Sequence, residues 1–262
     1  MEWLLTTSQE YGWEADLDAI TEVIQHPDPL NPQLSTEARS VRIVGLAQQG
    51  KAEDAVAAFE TALKGVRVRQ PQEMTNLAQA LSLAFQLRGD LDAARTVYER
   101  VNEAFLLNAE VREFATHRIN RLALVGKPAP AVDITDLNGK VIDWKAYAGK
   151  VVIVDFWATN CRPCIEELPR LRRFYHDRDV ERVDLLGISL DADAADILQF
   201  RRQEPVAWRI ALDQKKATEV FQVVLIPCLI ALDADGNVAA VDIPPRRLAA
   251  TVNQLVARVP AK

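Results

Sequence analysis

The sequence predicts an α/β part with a central mixed sheet flanked by helices over residues 126–262, preceded by an all-α helical-hairpin part over residues 1–125. Three observations predict it. From Ser35 to Leu124, apolar residues recur at spacings of three and four in a background rich in Ala, Leu, Gln, Glu and Arg, the pattern of amphipathic helices. After Gly126, Pro128 and Pro130 the pattern changes to short β-branched runs alternating with helical stretches, which implies a mostly parallel sheet. A late pair of apolar runs around Asp235-Gly236 adds antiparallel strands.

The chain opens with a short helical candidate, Ala15 to Gln25, carrying Leu17, Ile20, Val23 and Ile24 on one side. Pro27, Pro29 and Pro32 then exclude a helix. Within the helical part, Gly50-Lys-Ala-Glu-Asp-Ala-Val-Ala-Ala-Phe59-Glu60 aligns with Gly89-Asp-Leu-Asp-Ala-Ala-Arg-Thr-Val-Tyr98-Glu99, a recurrence at 39 residues. Each Gly ends one helix, Ala55 or Ala94 lets the next pack closely, and the aromatic fills the space between hairpins. The pattern resembles the second helix of a tetratricopeptide unit, although that period is about 34 residues and a stable array takes about three copies. An unrelated helical bundle that only caps the second part is the alternative.

Residues 124–130 read as a linker. Asn138-Gly139 lies between AVDITDL and KVIDW, a short-range hairpin signal. Strands are expected at Val151–Trp157, Val183–Leu190 and Ala207–Leu212, with helices at Arg162–Arg178, Asp193–Gln203 and Lys215–Phe221. A hairpin around Asp235-Gly236 and a helix from Pro245 to Arg258 close the chain.

Composition narrows the function classes. With 49% hydrophobic and 26% charged residues, the chain has a soluble globular composition. Its net charge of -6 arises in residues 1–125, which hold 12 Lys/Arg against 18 Asp/Glu, so nucleic acid is not an expected partner. The run Val223–Leu232 contains Pro227 and reaches about half of what a spanning helix needs, so the chain is not expected to cross a membrane. The first residues show neither a basic region nor an apolar run of signal-peptide length.

Three cysteines cannot make a disulfide framework, and two of them, Cys161 and Cys164, form one C-x-x-C, which points to redox or metal chemistry. At the start of a helix the i, i+3 spacing puts both sulfurs on one face. Cys161 at that terminus would meet unpaired N–H groups and the positive end of the helix dipole, with Arg162 adding a cation, so its thiolate is favoured. Pro163 suits the first turn because it has no N–H to lose. Cys164, further in, is placed to act as the resolving thiol. A zinc site would need three or four ligands, and the chain adds only Cys228 and the scattered His26, His117 and His176. No metal or cofactor is expected.

Asp155 interrupts the apolar run Val151–Trp157; in a central strand its pKa would rise and it could accept the proton of Cys164, whereas the plain alternative is an Asp reaching solvent. Glu167 lies one helical turn beyond Cys164 and could serve the same proton traffic, or simply be an exposed Glu beside Glu166. Pro169 is expected to kink the helix.

DFWATNCRPC, Pro169 and the later IPCLIALDADG resemble the thioredoxin fold, and VGKPAPAVDITDLNGKVIDWKAYAGKVVIVDFWATNCRPCIEELP resembles the TlpA/ResA-like thiol-disulfide oxidoreductases. The resemblance covers roughly residues 126 to 258. It implies Cys161 as attacking thiol, Cys164 as resolving thiol, and Asp155 and Glu167 as the acids that move protons. It further implies a cis peptide before Pro227, with Trp157, Ile226 and Pro227 on the substrate side. Three positions depart from the pattern: Asn160 stands where Trp is usual, Arg162 replaces a small or acidic residue, and Cys228 replaces Thr, either as a small buried residue or as a third redox thiol.

The expected function is disulfide reduction on protein substrates, with an upstream thiol reductant and a further protein partner on the helical part. A scaffold protein with a secondary redox domain is the alternative. A peroxiredoxin-like peroxidase shares the fold, but its Thr three residues before the cysteine is Ala158 here. The resemblance implies an extracytoplasmic location, periplasmic or membrane-tethered, with the cytoplasm as the alternative.

Overall fold

A computed structural model describes residue 20 and residues 24–26, 32–65 and 71–259. The chain divides into two compact units, Met1–Leu122 and Ala123–Lys262. Most of the helix expected over residues 15–25 lies outside the described residues.

Unit 1 contains, among the described residues, helices α1 (Pro32–Gln48), α2 (Ala52–Gly65), α3 (Pro71–Arg88), α4 (Leu91–Ala104) and α5 (Ala109–Leu122). The two copies of the sequence repeat fold alike. Gly50 and Gly89 follow α1 and α3 with φ of +82° and +80°. The Lys51 and Asp90 N–H groups donate back to Leu46 and Phe85, while Gly50 and Gly89 donate to Ala47 and Gln86. Both turns are therefore Schellman motifs, which satisfy the last helical carbonyls and reverse the chain. Ala55, Phe59, Ala94 and Tyr98 are all fully buried, so the repeat records packing between hairpins. Arg100 of α4 reaches back to Glu60 of α2, Nε to Oε1 at 2.7 Å, tying the second helices of the two hairpins together.

Unit 2 is built on a six-stranded mixed sheet in the order β1-β4-β3-β2-β5-β6. The strands are β1 (Thr135–Asp136), β2 (Val151–Trp157), β3 (Val183–Ser189), β4 (Arg209–Leu212), β5 (Cys228–Leu232) and β6 (Val238–Ala240). β2, β3 and β4 run parallel, while β5 pairs antiparallel with β2, β6 antiparallel with β5, and β1 antiparallel with β4. Helices α6 (Arg162–Asp177), α7 (Ala194–Gln203), α8 (Lys216–Val220) and α9 (Leu248–Val256) make the crossovers and close the chain. β2 is buried at every position, as a central strand covered on both faces must be.

Successive β2 residues face opposite layers. Trp157 packs on Phe200 of α7, whereas its neighbour Phe156 packs on Phe221 after α8. Trp208, on the Trp157 side, meets Tyr175 of α6, so α6 and α7 cover one face and the α8 region the other.

Three expectations need correcting. The hairpin at Asn138-Gly139 shrinks to a single bridge, Thr135–Val141, because the Asp136 carboxylate accepts from the Asn138 and Lys140 N–H groups and from Arg209, turning β1 toward β4. The linker is not free chain: Gly126 and Ala129 donate to Val238 and Gly236, and Val238 donates to Lys127. The expected closing helix begins as a 3-10 turn at Pro245–Arg247, and α9 starts only at Leu248.

Candidate active site around Cys161 and Cys164

β2 brings the chain to Ala158, and the next residues form the turn that enters α6. That turn is fixed from β3. The Asp191 carboxylate accepts from the Thr159 N–H at 3.0 Å, the Thr159 hydroxyl at 2.6 Å and the Ser189 hydroxyl at 2.6 Å. Sequence reasoning missed Asp191; an acid just beyond a buried strand that ends in Ser was the available signal.

Cys161 is the N-cap of α6, with Pro163 in the first turn. Its sulfur accepts from the Cys164 N–H at 3.3 Å, and the two residues are joined by a disulfide with Cα atoms 5.3 Å apart. Cys161 is half-buried and Cys164 is 3% exposed, so the first cysteine is the less enclosed of the two. Arg162 pairs with Glu166 at 2.8 Å, and its side chain is 89% exposed. Asn160 is exposed at the rim.

Asp155 is 3% exposed. It stands opposite Gly187 of β3 and Leu229 of β5, and it shares the face of Trp157 that α6 and α7 cover. Desolvation pushes its carboxyl up to about 7. Glu167 is one-third exposed and pairs with Arg170 at 3.4 Å. α6 continues through Pro169 without interruption.

The Ile226–Pro227 bond is cis. Both residues are half-buried, and Cys228 lies opposite Phe156 in the β2/β5 register, which sets Pro227 at the end of the sheet where β2 gives way to Cys161. α8, which precedes the loop into Pro227, is held at its start by Asp213, a buried carboxylate that accepts from the Ala217 and Thr218 N–H groups and the Thr218 hydroxyl. Trp157, expected on the substrate side, is 1% exposed and packed on Phe200, so it belongs to the interior and supports the site from beneath.

Cys228 is buried, and its thiol donates to Asp242 Oδ1 at 3.8 Å. Asp242 is itself buried, with φ of +56°, and the following Ile243 N–H donates to Leu229. That left-handed Asp has no periodic signature and escaped the sequence reading. Among the described residues no group of three His, Cys, Asp or Glu side chains is arranged to hold a metal ion.

The AhpC/TSA family model matches residues 125–241. Among curated relatives, the thiol-disulfide oxidoreductase ResA of Bacillus thuringiensis subsp. konkukian is 35% identical over 117 residues, 44% of this chain and 66% of the relative. ResA of Bacillus anthracis is 36% identical over the same shares. Unit 2 has a thioredoxin-like fold and is similar to the TlpA/ResA-like thiol-disulfide oxidoreductases. The chain thus spans just under two thirds of the length of the ResA proteins it matches. The thioredoxin domain of a thiol-disulfide oxidoreductase from Bacteroides vulgatus is 29% identical and superposes with a TM-score of 0.47, covering 50% of this chain and 97% of that one. In this domain the cysteine pair lies at the N-terminus of α6, and the cis Ile226–Pro227 bond enters β5 at the end of the sheet where β2 leads into α6.

Proposed function

We propose that the protein is a thiol-disulfide oxidoreductase that reduces disulfides in protein substrates. The observation that carries this reading is the Cys161–Cys164 disulfide at the N-terminus of α6, with Cys161 half-buried and Cys164 buried. In the reduced protein the Cys161 thiolate attacks one sulfur of a substrate disulfide, forming a mixed disulfide and expelling the other substrate sulfur as thiolate. Asp155, ionised, takes the proton of Cys164. The Cys164 thiolate then attacks the Cys161 sulfur, closing the intramolecular disulfide and releasing the second substrate thiol. Two electrons have passed to the substrate, and an upstream dithiol returns them. Ile226 and Pro227 line the substrate side, and Glu167 is a second carrier of protons.

The test is insulin reduction with a dithiol donor. Cys161→Ser is expected to abolish turnover, and Cys164→Ser to accumulate mixed disulfides. Full activity of Cys161→Ser would overturn the reading.

Unit 1 we read as a tetratricopeptide-like recognition part over residues 1–125 that selects partners for the redox domain over residues 126–262. The matching Schellman turns and buried aromatics of its two hairpins favour that reading. Pull-downs with the whole chain and with its Cys161→Ser variant separate the roles: partners retained by the variant belong to unit 1. The proposed location is extracytoplasmic, periplasmic or membrane-tethered, which fractionation of the native protein tests. Among the described residues no helix is long and apolar enough to cross a membrane.

A further inference from the structure

A cavity of about 440 Å³ opens in unit 1 where α1, α2 and α3 converge. Ala58 and Ala62 on α2 make the space, because larger side chains at these positions would fill it. Ile43 of α1 and Met74 and Leu77 of α3 give it an apolar floor.

The charges around that floor are specific. Arg39 and Arg42 contribute two guanidinium groups from one face of α1, as their i, i+3 spacing requires. Neither makes an ion pair or a side-chain hydrogen bond among the described residues, and two like charges so close on a helix repel when nothing lies between them. Glu73, in the first turn of α3, brings one carboxylate to the same lining. Two cations, one anion and an apolar floor match a ligand that itself carries one anion, one cation and an apolar side chain. Guanidinium binds carboxylate through paired N–H donors, and a carboxylate accepts from an ammonium group. The volume lies in the range of small-molecule pockets, far below what a folded partner would need.

We propose that this cavity binds a small apolar zwitterion, an apolar α-amino acid or a short peptide, with Arg39 and Arg42 on its carboxylate and Glu73 on its ammonium. A fatty acid would leave Glu73 without a donor, and an alkylamine would leave both arginines without an anion. The inference deepens the reading of unit 1 as a recognition part, naming the ligand chemistry, and is independent of the disulfide.

Isothermal titration of the full chain at low salt tests it, with L-leucine and Leu-Leu as probes and N-acetyl-leucine and leucinamide as blocked controls. Saturable binding of leucine or Leu-Leu is expected, and whichever binds more tightly identifies the source as free amino acid or peptide. Blocking either terminus should weaken binding roughly tenfold or more. The paired substitution Arg39→Ala/Arg42→Ala should cause a similar loss for leucine and leave leucinamide unchanged, and Glu73→Gln should make leucine and N-acetyl-leucine bind alike. Ala62→Leu should abolish binding by filling the space while the circular dichroism spectrum is retained. The Cys161→Ser chain should bind leucine like the wild type, so failure of the redox reading leaves this result standing. The proposal is overturned if neither probe binds at about 10 mM, or if blocked and unblocked forms bind equally.

Discussion

The sulfur of Cys161 accepts a hydrogen bond from the backbone N–H of Cys164, the residue it is bonded to. Reduction of the disulfide leaves that N–H and the positive end of α6 facing whichever form of Cys161 results, and both favour the thiolate. Reduced Cys161 is therefore expected to titrate below the ordinary thiol value of about 8.5. Iodoacetamide alkylation followed by mass spectrometry across pH 5 to 10 checks this. Alkylation of Cys161 with a midpoint at or above the ordinary value would count against the assignment of the attacking sulfur.

Asp155 gives a pH dependence whose sign follows from its burial. Its carboxyl is pushed up to about 7 in the folded chain by desolvation, against about 3.9 in the unfolded one. The folded state therefore prefers the protonated form. The stabilising contribution is complete below about pH 4, falls as the pH rises from there through about 7, and is lost above. Relative to Asp155→Asn, the wild type should lose on the order of 3–4 kcal/mol between pH 4 and pH 8. Urea midpoints of both proteins across that range measure it; parallel curves would show that Asp155 is not desolvated.

The same carboxylate should govern resolution of the mixed disulfide. As the proposed acceptor of the Cys164 proton, Asp155 acts only when ionised, so the resolving rate is expected to rise with pH through about 7 in the wild type. In Asp155→Asn that step should slow by about 10- to 100-fold and lose its inflection near 7. Stopped-flow tryptophan fluorescence of reduction reads the rate directly. An unchanged profile in the variant would move the proton acceptor elsewhere, with Glu167 next to be tested.

Gly187 has no side chain because two indoles occupy its space. A Cβ there would stand 3.1 Å from both Trp157 Nε1 and Trp208 Nε1, and both rings are buried with those nitrogens unpartnered among the described residues. Gly187→Ala should destabilise unit 2 by about 1–3 kcal/mol, since neither ring can retreat into solvent. Thermal unfolding checks it. A higher midpoint would mean that the reduced entropy of the unfolded chain outweighs the crowding.

Much of this architecture was legible in the residues because it is written in short-range patterns. The strand Val151–Trp157 and the start of the next helix at Arg162 stand where the apolar run and the C-R-P-C turn put them. Asp155 was conspicuous as one carboxylate in a fully apolar strand. Contacts between distant segments were not legible: Asp191 holding Thr159, Asp213 holding Thr218, and Asp242 beside Cys228 each join positions that no local periodicity links. Asn138-Gly139 misled for a related reason, since its local turn is made, but Arg209 and β4 claim the strand that should have paired across it. Trp157 was misplaced because an aromatic beside a catalytic motif looks the same in sequence whether it faces solvent or core.

The stretch at Gly126–Ala129 reads as a spacer, yet it lies along the outer side of β6. Pro128 and Pro130 have no N–H to offer, so a further strand finds an interrupted row of donors beyond them. At the other edge, β1 is only two residues long. A protein proposed to reduce disulfides in other proteins thus keeps both margins of its own sheet unsuited to open-ended strand addition.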